Sequence, residues 1–276
     1  MAKRGRRRLI WIVVGIVVVV AIVAVAGPYV YIHFIEGPAP AKLELPKAQS
    51  TTSTSVATQG SATPASSVAG TWNVGSGSQA GYRVQEVLVG QNATAVGRTS
   101  EIWGSITISG TTVTKGSFTV NMASVVSDQS ERNAHFDGSI MDVSQYPTAT
   151  LTLSSAIDLG TLPANGVVEH YSATGALDMH GVTKTVSFTV SAERLGSEID
   201  ALADIAIPFA NWNISNPSIG GFVTTAQNGT LEVLLHLTQG TGNAASTSAG
   251  SSGGTGGGGP ITVPSTTVPP LTVPSG

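Results

Sequence analysis

The chain has 276 residues with a formal net charge of −3 at pH 7, and it contains no cysteine, which excludes disulfide stapling and thiol redox chemistry. Residues 70–240 hold six Lys or Arg against fourteen Asp or Glu, so this stretch is acidic and nucleic acid is not an expected partner.

Residues 1–8 form a basic segment with Lys3, Arg4, Arg6, Arg7 and Arg8. The run that follows, LIWIVVGIVVVVAIVAVAG, is Leu9–Gly27, and no charge appears until Glu36. As a helix this run reaches about 28 Å, close to a bilayer hydrocarbon core of about 30 Å. Basic residues stay cytoplasmic, and Trp11, Tyr29 and Tyr31 stand where interfacial aromatics are expected. The expectation is a single transmembrane helix over 9–27 in a cell membrane, with the N-terminus cytoplasmic and the rest extracellular or periplasmic. A cleaved signal peptide is the competing reading, since Ala24-Val25-Ala26 fits an A-x-A cleavage site. The length of the apolar run favours the anchor.

Residues 28–69 are expected to form a flexible linker and 241–276 a disordered tail, because Ser, Thr, Gly, Ala and Pro dominate most of both and offer little apolar surface to offset ordering entropy. The tail ends in ITVPSTTVPPLTVPS, a loose Val-Pro repeat that favours polyproline II. It either engages a cell-envelope partner or is an end without a role.

Between them, residues 70–240 alternate apolar and polar side chains in EIWGSITIS, GSFTVNM, ATLTLSS, SATGALDM, TVSFTVS, EIDALADIAIPF and TLEVLLHL. Period two marks strands with one apolar face. Parity assigns inward positions to Ile102, Ile106 and Ile108, to Phe118, Val120 and Met122, and to Leu151 and Leu153. It continues through Leu177, Met179, Val186, Phe188, Val190, Ile199, Ile205, Ile207 and Phe209 to Leu231, Val233, Leu235 and Leu237. A sheet of so many strands must close into a barrel or fold into a sandwich to cover that face.

SDQSERNAHFDGSIMDVSQYPT breaks the pattern. Asp128 and Glu131 have capping-box spacing and Gly138 offers a stop, which predicts a short helix near 129–137. Pro147 then turns Tyr146 toward extended geometry and launches the next strand.

ERNAHFDGSIMDVSQYPTATLTL and GALDMHGVTKTVSFTV together resemble the YceI-like, polyisoprenoid-binding family. Its R-x-A-H helix leads to F-D-x-x-x-Y-P and a strand, and G-x-L-x-x-H-G-V-T opens a hairpin. Arg132, Ala134, His135, Asp142, Tyr146 and Pro147 match the first motif, and Gly175, Leu177, His180, Gly181, Val182 and Thr183 match the second. The resemblance implies a mainly β fold, a closed antiparallel lipocalin-like barrel with one short helix, set outside the cytoplasm and holding an isoprenoid-like or other amphipathic lipid. The chain departs from the family at its first hairpin, where Val84-Gln85-Glu86 stands in place of V-x-H.

The expected cavity residues are Tyr82, Val84, Ile106, Phe118, Val120, Leu151, Leu153, Leu177, Phe188, Ala201, Ala203, Phe209, Trp212 and Leu235. Gly104, Gly116, Ala149, Ala173, Gly175, Ala201 and Ala203 are small and inward-facing by parity, and leave room for a chain; a fully packed core with bends at glycine is the other reading. Arg132 and His135 are candidate head-group contacts, although for His135 a structural role, stacking at the barrel mouth or bonding a backbone carbonyl, is the favoured reading. Trp212 sits in an irregular loop, as a lid at the mouth or as a plug. His180-Gly181 reads as a two-residue turn.

His135, His170, His180 and His236 are too scattered for a metal site, no nucleophile elbow or phosphate loop is present, and Asp200 and Asp204 read as a solvated strand face. The reading is a membrane-anchored binding protein without catalytic residues, whose only bound group is an isoprenoid or quinone-type lipid. Its rival is an envelope interaction module with a solid barrel and no ligand.

Overall fold

The computed structural model describes residues 2–30, 39–46, 68–88, 90–218 and 223–240. The expected tail, and most of the expected linker, lie outside them. Helix α1 runs Ala2–Val30. Its side chains are described only at 11–23, 26, 27 and 30, and on that basis no helix among the described residues is long and apolar enough to cross a membrane.

The alternating sequence folds into strands β1 (Gly70–Val74), β2 (Gln79–Leu88), β3 (Gln91–Thr99), β4 (Ile102–Ser109), β5 (Thr112–Asn121), β6 (Val126–Ser127) and β7 (Thr148–Leu153). They continue with β8 (Ile157–Asp158), β9 (Glu169–Met179), β10 (Val182–Leu195), β11 (Glu198–Pro208), β12 (Val223–Thr225) and β13 (Asn228–Gln239). Eight of them close a mainly β, antiparallel barrel in the order β1, β4, β5, β7, β9, β10, β11, β13, and β13 returns to β1 through Trp72↔Gln239 and Val74↔Leu237. Closure leaves the ring without a free edge. The β2–β3 hairpin lies beside this ring, β2 pairing with another stretch of β13 from Thr230↔Arg83 to Leu234↔Gln79. Among the described residues β3 pairs only with β2 and the two-residue β6, so its outer edge is not joined to β4.

Helix α2 (Ser130–His135) forms close to the expected span, with other end signals. Its cap residue is Gln129, which makes no side-chain cap hydrogen bond. Asp128 does not form a capping box with Glu131; its carboxylate pairs with Arg132 one turn on, at 2.5 Å. Gly138 is not the stop either. The backbone widens into a π turn over Phe136–Ile140, with Met141 N–H donating to the Phe136 carbonyl at 2.9 Å, and the reversal falls at Asp142, φ 41°. Wide turns of this kind re-aim side chains, and here Phe136 is driven into the barrel.

The β9–β10 connection is the expected turn: His180 and Gly181 have φ of 52° and 71°, the type I′ pattern that matches strand twist. It is also anchored from outside the hairpin. His180 Nδ1 lies 2.9 Å from the Trp212 carbonyl oxygen, and the His180 ring meets Tyr146 edge-on at 4.8 Å. A Cβ on Gly181 would come within 2.7 Å of the Tyr146 ring. The Tyr-Pro and His-Gly motifs, far apart in sequence, therefore form one packed corner.

Residues 39–46, within the span expected as linker, lie on the outer wall. Arg83 donates to the Pro40 carbonyl at 2.8 Å, Arg98 to that of Ala41, and Lys42 approaches Asp204 at 3.8 Å.

Candidate functional site

The barrel interior is hollow. A cavity of about 890 Å³ runs through it, lined overwhelmingly by aliphatic and aromatic side chains from both core clusters. This lies near the top of the range of about 300–1,000 Å³ for small-ligand sites.

Tyr82, Val84, Ile106, Phe118, Val120, Leu151, Leu153, Leu177, Phe188, Ala201, Ala203, Phe209 and Leu235 all line it, and so do Arg132 and His135. Trp212 does not, which corrects its place among the cavity residues. It is 1% exposed, its indole N–H reaching toward the Leu177 carbonyl at 3.5 Å, and it plugs the fold beside the His180 turn. The small residues divide. Ala149, Ala201 and Ala203 face the cavity, whereas Gly104 and Gly175 answer to neighbouring backbone. A Cβ would meet the Ser117 carbonyl at 2.1 Å from Gly104 and the Thr152 carbonyl at 3.0 Å from Gly175.

Several lining residues escaped the sequence reading. Phe136, Ile140 and Met141 reach the cavity because of the π turn, a local deviation that helical periodicity does not signal. Ile214 and Pro217 come from the irregular loop after β11.

Polar residues gather at the α2 end of the cavity, and β10 adds Glu193 and Arg194 elsewhere on the lining. Glu86 extends the inward row of Tyr82 and Val84 on β2, and Gln129, Glu131, Arg132, His135 and Ser139 come from α2 and its flanks. Arg132 is bound by Glu86 at 3.2 Å as well as by Asp128. Tyr82 stacks on Phe136, rings 5.1 Å apart and 15° from parallel. Burial pushes its phenol up to about 12, with Arg132 opposing and Glu86, Asp128 and Asp137 adding to the rise.

Asp204 is exposed as expected, but Asp200 is not. It is 1% exposed and accepts from His236 Nδ1 at 2.6 Å, shielded although its parity points outward. Glu232 is equally buried on the outer wall, held by Arg83 at 2.7 Å and Arg98 at 3.0 Å. His170 contacts the Ser191 hydroxyl. Among the described residues no group of three or more His, Cys, Asp or Glu could hold a metal ion.

An eight-stranded antiparallel barrel closed around a largely apolar cavity defines a lipocalin-like β-barrel. The chain belongs to the YceI-like domain family, whose model matches residues 72–237. Its fold is similar to that of a polyisoprenoid binding domain from Saccharophagus degradans implicated in plant cell wall breakdown, at 14% identity and a TM-score of 0.50, covering 62% of this chain and 99% of that one. Similar too are Burkholderia cenocepacia BcnA (21% identity, TM-score 0.43, 56% of this chain and 94% of that one) and the Campylobacter jejuni YCEI protein (16%, 0.39, 51% and 83%). No curated protein matches the chain.

Proposed function

We propose that this protein is a non-enzymatic binding protein that sequesters or carries an isoprenoid-like or other amphipathic lipid, a quinone-type lipid included. The observation that carries the reading is the apolar cavity of about 890 Å³. A void of this size and lining is costly when empty and favourable when a hydrocarbon chain fills it, at roughly 0.8 kcal/mol per buried CH₂. The polyisoprenoid binding domain from Saccharophagus degradans, whose fold is similar, supports the same ligand class. The rival solid barrel has no room for this cavity.

In this reading Leu9–Gly27 of α1 is a single-pass anchor and the barrel works on the far side of the membrane, within reach of bilayer lipid. The support is the unbroken apolar run behind five basic residues. The tail after residue 240 would reach an envelope partner.

Titration of the full-length protein with a fluorescent isoprenoid analogue tests the proposal. Saturable one-to-one binding with blue-shifted emission, unchanged by added salt, is the expected result, because apolar burial and not charge drives it. Absence of saturable binding overturns it.

A further inference from the structure

The polar mouth says which head the lipid carries, an inference that rests on the lipid-binding reading. Arg132 is the one Lys or Arg among the described residues lining the α2 end of the cavity, and two carboxylates already bind it, Glu86 at 3.2 Å and Asp128 at 2.5 Å. Glu131 touches the lining from an exposed position, and Asp137, next to Phe136, keeps a buried Oδ1 without a hydrogen-bond partner among the described residues. Two carboxylates thus bind one guanidinium, and the trio is net negative.

A phosphate head entering here would bring at least one more negative charge to a partly desolvated, net-acidic site. Juxtaposed like charges are unfavourable in such a setting. A hydroxyl or carbonyl head meets no such barrier, and a donor awaits it. The Tyr82 hydroxyl makes no hydrogen bond among the described residues, although its ring is fixed between Gly97 and Phe136. With its pKa raised to about 12, the phenol keeps its proton at physiological pH and has one O–H to donate.

We propose that the α2 mouth selects isoprenoids whose head is an uncharged oxygen function, an alcohol or a quinone-type carbonyl, over their phosphorylated counterparts, with Tyr82 donating to the head oxygen. Glu86 and Asp128 supply the rejection and Tyr82 the recognition.

The test is competition on the full-length protein, read by native mass spectrometry, among geranylgeraniol, geranylgeranyl monophosphate and the headless hydrocarbon phytane. The alcohol complex should exceed the phosphate complex by about tenfold or more, given the cost of an added like charge. Glu86→Gln, which removes the buried carboxylate of the trio, should narrow that ratio. Tyr82→Phe should weaken the alcohol several-fold and leave phytane unchanged. Equal or tighter binding of the phosphate overturns the selection while the lipid-carrier reading stands. A Tyr82→Phe variant that loses all ligands equally makes Tyr82 a packing residue and overturns its role at the head. Failure of all three ligands to bind removes the carrier reading, and this inference with it.

Discussion

The Tyr82 ring lies flat over Gly97, its cross-strand partner: a Cβ built on Gly97 would stand 2.3 Å from Tyr82 Cε1. Phe136 covers the other face, so the ring is clamped between strand and helix. Gly97→Ala should therefore unseat Tyr82 and destabilise the barrel by about 1–3 kcal/mol, the usual cost of overpacking. Thermal unfolding measures it. An unchanged melting temperature would mean that the clamp relaxes freely.

Two small inward positions should respond in opposite ways to leucine. Ala201 lines the cavity, so Ala201→Leu should leave folding nearly intact while reducing lipid uptake. A Cβ built on Gly175 would stand 3.0 Å from the Thr152 carbonyl and 2.9 Å from the Leu151 side chain, so Gly175→Leu should impair folding itself. Circular dichroism together with lipid loading separates the two.

The buried carboxylates Glu232 and Glu193 should give opposite pH slopes. Burial pushes Glu232 up, but hydrogen bonds and charge from Arg83 and Arg98 outweigh it and hold the carboxyl below its ordinary range. A depressed folded pKa contributes stability that is present above the unfolded value and lost as pH falls through the folded one. Glu232→Gln should abolish that acid-side loss, and its cost at neutral pH follows from two arginines left without their anion. Glu193 is 4% exposed, leaves Oε1 without a hydrogen-bond partner among the described residues and is raised by burial first and by Asp200 second. Its raised folded pKa takes stability away as pH climbs past the unfolded value, so Glu193→Gln should stabilise the protein, increasingly from acid toward neutral pH. Denaturant unfolding at several pH values checks both signs.

His180 should matter to stability and not to ligand uptake. His180→Asn keeps a residue suited to positive φ but loses the contact with the Trp212 carbonyl, at a cost of about 1 kcal/mol. Lipid loading that collapses in this variant at unchanged stability would show a direct role at the ligand.

The barrel and most of its lining were legible because period-two alternation fixes which side chains point inward, and the matched motifs specified closure. Parity identified Ile106, Phe118 and Leu235 as lining, but it carries no information on what covers the outer face. Asp200 and Glu232 have outward parity yet are buried, beside His236 in one case and under Arg83 and Arg98 in the other. Phe136 escaped notice because a π turn, which follows no simple periodicity, directs it inward. Trp212 was open between lid and plug, and its contacts with His180 and Leu177, made by chain remote in sequence, decide for the plug.

The most direct test of the central claim is native mass spectrometry of the full-length protein purified in mild detergent, followed by organic extraction of whatever is bound. The account predicts a stoichiometric mass increment that extraction identifies as a long-chain isoprenoid or quinone-type lipid with an uncharged head. A bare mass that stays bare after incubation with such lipids would contradict it.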